Sequence, residues 1–214
     1  MMQDKVLNGT PIVISDHALA KQDRAIEAWR LGRERLRAAS THAADDSPWF
    51  AFRVMTGKEL AVESLLKREG IECLVPLRKG KEIRRRGRVM LPTIPVMMGY
   101  VLVRFELSNA AIAGIVRFDQ VVGIVGGGLQ PRAISHCEVK AFEDRAKNGW
   151  FDWSKRFTSL KRNVRVVVTH GPFKGAKGIV VSARSDGLGD AVVEFNADEK
   201  IPAALLPLAI LEKL

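Results

Sequence analysis

A run of cations in the middle of the chain contains the residues best suited to bind a polyanion. Between positions 78 and 88 the sequence holds seven Lys or Arg residues and a single acid, Glu82. Such cations contact phosphate oxygens and position a nucleic acid without reading its sequence. The run lacks an aromatic ring for base stacking, so we expect no base specificity. The run lies between two strands, and a solvated, mobile hairpin without a ligand is the equally open alternative. The candidate nucleic-acid-binding residues are Arg78, Lys79, Lys81, Arg84, Arg85, Arg86 and Arg88.

No arrangement of residues typical of catalysis or of metal binding is found in the sequence. The four histidines and two cysteines show no HxxxH, HxH or CxxC spacing. His136 and Cys137 are adjacent, but adjacency along the chain does not pair a nucleophile with a base. The glycines at 126–128 are not followed by the Lys-Ser/Thr pair of a phosphate-binding loop. We therefore expect a protein that is not an enzyme and that has no catalytic residue, no metal and no cofactor.

The segment Asn163–Val181 has the pattern of a β-hairpin with an aromatic ring at its tip. Alternating valines precede a Gly- and Pro-containing turn, and a second apolar run follows it. Gly171, Pro172 and Phe173 form the tip, where an exposed ring favours a docking role. The alternative is that Phe173 folds back as a lid on its own barrel. Because both runs are β-branched, we expect this region to be a constitutive barrel.

Charge and hydropathy place the protein among basic chains without a membrane segment. The net charge is +10, and residues 47–150 contribute +7 of it, which favours a polyanionic partner near this block. No apolar run approaches the ~18 residues of a membrane span, and the start of the chain lacks a signal-peptide pattern. Two distant cysteines agree with a reducing, cytoplasmic setting.

The chain divides into four parts by its patterns. Residues 1–46 are a peripheral extension, in which Ser15 or Asp16 caps a helix over about 17–39 and residues 40–48 form a linker. Residues 47–148 alternate in the order β-α-β-β-α-β and end in a last helix, with the helices expected on one face of four strands. Residues 149–160 are an aromatic-rich linker, and residues 161–214 hold the hairpin with further short strands.

The middle block resembles the N-terminal domain of the NusG family of transcription elongation factors. The likeness lies in the strand and Gly-Lys-Glu turn of Trp49–Gly70, in Leu74–Pro76, and in the Gly-Tyr-Val-Leu-Val strand from Gly99. The hairpin from Asn163 resembles a KOW motif. The resemblance implies an α+β chain: a split β-α-β-β-α-β sandwich, then a small all-β KOW barrel, with an N-terminal helical extension.

The family resemblance also implies partners and binding surfaces. The sandwich would bind the clamp helices of the largest RNA polymerase subunit through an apolar concavity formed by Trp49, Val96, Met97, Met98 and Tyr100. Met97 and Met98, if they continue a strand, would point to opposite sides. The second helix, near residues 111–113, is better suited to core packing than to a contact with the polymerase gate loop.

The resemblance further implies nucleic-acid and second-factor contacts. The basic run would lie near upstream or non-template DNA or nascent RNA. The KOW barrel would dock Rho, or the ribosomal protein that translation and antitermination complexes share. The extension, the unusual Val96–Met98 segment and the basic run favour a specialised or phage-borne relative. Pausing, termination or antitermination could each be the process affected.

Two other functions remain open at this stage. One is a ribosome-associated KOW protein that binds RNA without the polymerase. The other is an antiterminator specific to an operon or phage, recruited through its N-terminal extension.

Overall fold

The computed structural model describes residues 5–7, 10–12, 15–41, 47–128, 130–155 and 157–214. It begins with a short antiparallel pair, β1 (Lys5–Leu7) and β2 (Thr10–Ile12), and the long helix α1 (Asp16–Thr41). Of the two predicted N-caps, Ser15 is the one used, because its hydroxyl oxygen accepts a hydrogen bond from Ala18 N at 3.3 Å. The predicted linker over residues 40–48 overlaps the end of α1, and its residues 42–46 lie outside the described part of the chain.

The middle block has the predicted β-α-β-β-α-β order, with two ribbons inserted between its second and third main strands. Its elements are β3 (Trp49–Val54), α2 (Glu59–Arg68), β4 (Cys73–Leu74), β5 (Leu77–Lys79), β6 (Ile83–Arg85), β7 (Arg88–Met90), β8 (Thr93–Pro95), β9 (Tyr100–Arg104), α3 (Asn109–Val116), β10 (Val121–Ile124), β11 (Ala133–Ile134) and α4 (His136–Lys147). The main sheet has the order β10-β3-β9-β4, and β11 also pairs with β3. Ser108 and Ser135 cap α3 and α4 as predicted.

The strands β3 and β9 separate two apolar cores. Phe50 and Phe52 in β3 point to one side and pack with α2 and α3, whereas Trp49 and Ala51 point to the other side. The helix α4 lies on this second side, where Phe142 is buried. The expectation that all helices share one face is therefore wrong for α4. The core on this second side also contains residues of the C-terminal region, such as Phe173.

The strand predicted over residues 71–76 is reduced to the two residues of β4. The amide N of Glu72 donates to Ser40 Oγ at 3.1 Å, and that of Val75 donates to Glu63 Oε1 at 3.1 Å. Because side chains satisfy these amides, the chain leaves the ladder on both sides of β4.

The C-terminal region, residues 161–214, forms a five-stranded antiparallel sheet in the order β15-β14-β13-β12-β16. This region is called the barrel below. Its strands are β12 (Arg165–Val168), β13 (Lys177–Ala183), β14 (Asp190–Phe195), β15 (Ala204–Pro207) and β16 (Leu211–Lys213). The two strands that follow Pro202 occupy the sheet edges, as its prolines predicted. The regular structure of this region consists of these five strands and two short 3-10 turns.

The predicted N-terminal helix is present, and its second half packs on the middle block, a contact that the prediction of a peripheral extension did not include. The second half of α1 packs on α3, where Gly114 lies close to the Gly32 carbonyl and Leu36 is fully buried. The rest of the predicted stripe (Leu19, Ile26 and Trp29) stays exposed. Only the part of α1 that reaches α3 thus contributes to the core.

Candidate functional site

The sheet face that was predicted to bind a partner is covered by the C-terminal barrel. The ring of Phe173 meets the ring of Tyr100 edge-on, with centroids 5.0 Å apart and planes at 82°. Phe173 also packs on Phe195 of its own barrel, with centroids 5.6 Å apart, and it is 0% exposed. The prediction of an exposed ring is therefore wrong for this arrangement, because the ring is shielded from water by both domains.

The neighbours of Phe173 in the turn are buried with it. Gly171 has φ +83°, and a Cβ added there would lie 2.8 Å from Cε2 of Phe142 in α4. Pro172 is buried as well. Gly175 lies in the same turn and also has φ +83°, but a Cβ added there would have no atom of the described residues within 4 Å. The turn thus makes its close contact with the middle block at Gly171 and not at Gly175.

The remaining residues predicted to bind polymerase lie on the same covered face. Trp49, Val96 and Met97 are buried in one core with Tyr100 and Phe173, whereas Met98 is half-buried. Residues 96–98 form the turn that precedes β9, so they do not continue a strand, although Met97 is more buried than Met98, as the expectation of one inward and one outward side chain had it. Tyr100 has a raised pKa, because burial disfavours the phenolate and the charge of Arg53 offsets this only in part.

Trp49 is held in its position by a hydrogen bond across the sheet edge. Its Nε1 donates to His136 Nδ1 at 3.1 Å, and the two rings are nearly parallel with centroids 6.2 Å apart. Because His136 is the first residue of α4, this contact fixes the helix to the strand that carries the candidate binding face.

Two ion pairs join the middle block to the C-terminal barrel at the edge of their interface, which is called the domain contact here. Lys174 Nζ lies 2.8 Å from Glu138 Oε1, and Arg132 Nη1 lies 3.2 Å from Glu199 Oε2. The hydrogen bond from Lys174 is the main cause of a lowered pKa at Glu138. Arg132 also donates to the carbonyl oxygen of Lys174 at 2.5 Å. Partly exposed pairs of this kind contribute little stability but fix orientation.

A third ion pair lies deep in the contact. Arg78 Nη2 donates to Asp190 Oδ2 at 2.6 Å, and the two side chains are 1% and 9% exposed. Arg78 Nη1 donates to the carbonyl oxygen of Phe151 at 3.3 Å. Arg78 Nε and Asp190 Oδ1 are buried and have no hydrogen-bond partner among the described residues. Arg78 was predicted to be an exposed phosphate ligand. This prediction is wrong for the closed arrangement, because the side chain is buried in its ion pair with Asp190.

The ribbon formed by β5 and β8 is also attached to the linker that joins the domains. Lys79 N donates to Asp152 Oδ1 at 2.9 Å, and Trp153 N donates to the Lys79 carbonyl oxygen at 3.0 Å. The guanidinium of Arg78 lies 5.9 Å from the ring centroid of Trp153. The base of the ribbon therefore contacts the linker and the barrel at once.

The other six predicted phosphate ligands are exposed. As one of the two alternatives predicted, the run contains a hairpin: β6 and β7 pair, and the chain turns at Arg86 and Gly87, both with positive φ. The φ values of 51° and 75° are typical of a type I′ turn. An acid lies near one cation, since Glu82 Oε1 is 3.7 Å from Arg84 Nε. The exposed cations are Lys79, Lys81, Arg84, Arg85, Arg86 and Arg88.

The helix α1 is attached to the middle block through a buried carboxylate. Glu69, at the C-terminal end of α2, accepts hydrogen bonds from the guanidinium groups of Arg33 and Arg37. The hydrogen bond from Arg33 is the main cause of a lowered pKa at Glu69. Arg117 Nη1 donates to the carbonyl oxygen of Ala28 at 3.0 Å. In α3 itself, Ala111 is buried, as core packing of this helix requires.

The acidic partners across the domain contact were missed by the sequence reasoning. Asp190, Glu138 and Glu199 lie in segments with ordinary mixed charge. Nothing in their spacing indicates a partner, because each ion pair joins residues far apart in sequence. The one local signal is Lys174, which directly follows Phe173 in the sequence. A cation at this position is compatible with an acidic partner near the buried ring.

Two classes of site are not found in the part of the chain that the structure describes. Among these residues no group of three or more His, Cys, Asp or Glu side chains is placed to hold a metal ion. None of the described helices is both long and apolar enough to cross a membrane.

Comparisons with known proteins found one family model and several solved structures to which the chain is similar. Residues 47–143 match the family model described as transcription termination factor nusG. A structure described as "Domain interaction in Thermotoga maritima NusG" is 19% identical, covers 78% of this chain and 97% of its own, and gives a TM-score of 0.38. Two conformations of an MjSpt4:Spt5 complex are 19% and 20% identical, with TM-scores of 0.26 and 0.24; each covers 78% of this chain and 97% or 96% of its own. No curated protein matches the sequence.

Proposed function

Residues 47–143 form a domain of the NusG family, and from this premise we propose that the chain is a transcription elongation factor that binds RNA polymerase. The observation that carries the proposal is the apolar sheet face around Tyr100, which the chain covers with its own Phe173. A surface of this kind fits a helical projection such as the polymerase clamp helices. Met98 is deformable and half-buried at the rim of this face, where an incoming helix would reach it first.

Polymerase binding then requires that the domains separate. Tyr100 and Phe173 bury each other, so one movement exposes the face and the Gly171–Phe173 turn together. The apparent polymerase affinity is reduced by the small fraction of open molecules. The proposal is therefore a factor that is closed when free and opens at its target.

The barrel would bind a second factor once it is released. Its turn of Gly171, Pro172 and Phe173 would present an apolar tip to Rho or to the ribosomal protein shared by translation and antitermination complexes. The linker keeps the released barrel near the polymerase, which raises its effective concentration for that factor. Recruitment of Rho would promote termination, whereas its exclusion would suppress termination.

The basic hairpin of β6 and β7 would position the complex on nucleic acid. Its exposed arginines include Arg85, Arg86 and Arg88 near the turn, where phosphate groups can approach from several sides. Upstream DNA, non-template DNA and nascent RNA are all within this proposal.

A second candidate function is selective recruitment through α1. The first half of α1 exposes Leu19 and Ile26, while residues of its second half, such as Arg37, fix it to the middle block. An operon- or phage-specific helper that bound this exposed half would direct the factor to a few genes. Deletion of residues 1–27 would then abolish selective recruitment but leave polymerase affinity unchanged.

Binding of the full chain to purified multisubunit RNA polymerase tests the main proposal. We expect weak binding by the native chain and tighter binding by Gly171→Ala, in which the added methyl group collides with Phe142. In this opened background, Met98→Asp should abolish binding, whereas Ile179→Asp, on the exposed side of the barrel, should not.

Thermal unfolding would confirm that each variant is folded. Absence of polymerase binding by the opened chain would disprove the proposal. Tight binding to ribosomal RNA in its place would favour a ribosome-associated protein.

A further inference from the structure

The position of Arg78 couples the basic ribbon to the domain contact. Arg78 lies in β5, and β6 and the hairpin turn follow β5 along the chain. The Arg78 side chain is buried on one side of the strand, whereas Leu77 and Lys79 are exposed on the other. In the closed arrangement its charge is occupied by Asp190 of the barrel at 2.6 Å. The two consecutive ribbons, β5–β8 and β6–β7, therefore carry six exposed cations and one cation that the barrel conceals.

We propose that Arg78 is a phosphate-binding residue which becomes available only when the barrel leaves, so that duplex DNA bound along the ribbon drives domain opening. The inference rests on the proposed nucleic-acid role of the hairpin. In the closed form, the Asp190 carboxylate binds the guanidinium of Arg78. In the open form, a phosphate group would bind the same guanidinium.

The direction of the coupling follows from charge. In the closed form, Asp190 neutralises Arg78, and Asp152 at the base of the ribbon accepts from Lys79 N. Both carboxylates repel a polyanion that lies along the ribbon. Opening removes Asp190 and adds one cation to the surface, so the open form binds phosphates more tightly. A ligand that prefers one of two states shifts the population toward that state.

The Arg78–Asp190 pair is suited to such an exchange. Arg78 Nε and Asp190 Oδ1 lack partners among the described residues although both are buried. A buried pair with unsatisfied atoms does not recover the full cost of losing water. After opening, phosphate or solvent would satisfy Arg78 Nε on the ribbon, and solvent would satisfy Asp190 Oδ1 on the barrel.

Duplex DNA is the form of nucleic acid that the hairpin favours. The exposed part of the ribbon holds no aromatic side chain, so it offers no stacking platform for single-stranded bases. A two-stranded antiparallel ribbon also has the dimensions of an element that enters the major groove. Arg84 alternates with Arg85 along β6, which places cations on both sides of the hairpin.

Energy transfer between two dyes on the full chain would measure opening. Cys137 is exposed and accepts one dye, whereas Cys73 is buried and its pKa is raised to about 12, so it stays unlabelled. A second dye would be attached after Leu214, the exposed end of the barrel region. A 20-base-pair duplex of arbitrary sequence (roughly two helical turns) is the probe, and a single strand of equal phosphate number is the comparison.

Two substitutions that break the same ion pair separate the inference from simple loosening. Both Asp190→Asn and Arg78→Gln should lower transfer efficiency without DNA. Asp190→Asn leaves Arg78 free, so its duplex affinity should rise about fivefold and its salt dependence should steepen by about one phosphate contact. Arg78→Gln should gain neither. In the native chain, the duplex itself should lower transfer efficiency, and the single strand should do so less.

The outcomes are distinguishable. If both variants open and bind the duplex equally, or if the duplex binds the native chain without lowering transfer, Arg78 is not a concealed ligand and the inference fails, while the role of the hairpin stands. If the single strand opens the chain as well as the duplex does, the assignment to duplex DNA is wrong. If the native chain and both variants ignore the duplex at low salt, the inference and the proposed role of the hairpin fail together.

Discussion

The rings of Phe173 and Tyr100 pack edge to face, with 5.0 Å between their centroids. Each of these residues was predicted to contact another protein, but in this structure they contact each other. Burial of one phenylalanine side chain contributes about 1.5–3 kcal/mol, and an edge-to-face pair adds about 0.5–1.5 kcal/mol. Such a contact is strong enough to keep the domains together and weak enough for a partner of similar apolar area to replace it.

Alkaline pH should open the domains, and Tyr100 should report it. The pKa of Tyr100 is raised by burial, so the closed form is stabilised below the ordinary tyrosine pKa of about 10 and loses this contribution as pH rises through the raised value. Tyr100 is the only tyrosine of the chain, and tyrosinate absorbance therefore follows it alone. In the opened Asp190→Asn chain, its titration midpoint should shift down toward the ordinary value. Equal midpoints in the native and opened chains would show that the barrel does not bury Tyr100.

Two glycines of one turn should respond differently to the same substitution. Gly171 and Gly175 both have φ +83°, so an alanine at either position strains the backbone by about 1 kcal/mol. Only the alanine at 171 also meets the Phe142 ring, at 2.8 Å. We expect Gly171→Ala to open the domains and Gly175→Ala to leave them closed, as measured by energy transfer between Cys137 and the chain end. An equal change in both variants would mean that backbone strain, and not the contact with Phe142, controls closure.

The sandwich was predictable because each of its elements carries its own signal. The apolar, aromatic run of Trp49–Val54 and the serine caps of α3 and α4 are local features, and the structure contains this strand and both caps. The strand predicted over residues 71–76 failed because its amides bond to side chains from α1 and α2. That competition is invisible in a linear pattern.

The candidate site was only half predictable for a related reason. The residue types of the apolar face and of the aromatic turn indicated contact surfaces, but a pattern cannot tell whether a surface meets a foreign protein or another part of the same chain. The buried state of Arg78 depends on Asp190, which lies 112 residues away. The charge pattern therefore identified Arg78 as part of the basic run but wrongly predicted that its side chain is exposed.

The hairpin, and not net charge alone, should determine binding to nucleic acid. Replacement of Arg85, Arg86 and Arg88 by glutamine should weaken duplex binding at least tenfold and lower the slope of log affinity against log salt by about 2.7 if all three contact phosphates. A control with the same change in net charge replaces three exposed cations of α1, which are Lys21, Arg24 and Arg35. The control should bind nearly as well as the native chain. Similar losses in both variants would show that binding is a diffuse effect of overall charge.

Acidic pH should release α1 from the middle block through protonation of Glu69. The pKa of Glu69 is lowered, chiefly by its hydrogen bond from Arg33. Its contribution to docking is therefore present above the ordinary carboxylate value of about 4.3 and is lost as pH falls through the lowered value. Amide hydrogen exchange in residues 28–40 should increase over that range before the sheet β3–β9 loses protection.

Substitution of the carboxylate separates this effect from general acid unfolding. Glu69→Gln should weaken the docking of α1 at neutral pH by about 1–3 kcal/mol and should remove most of its acid dependence. Glu143→Gln is the matched control, because Glu143 pairs with Lys147 within α4 and does not hold α1. If residues 28–40 in the Glu69→Gln chain still exchange as slowly as in the native chain at neutral pH, the apolar contact of Leu36 alone holds the helix, and the carboxylate does not fix it.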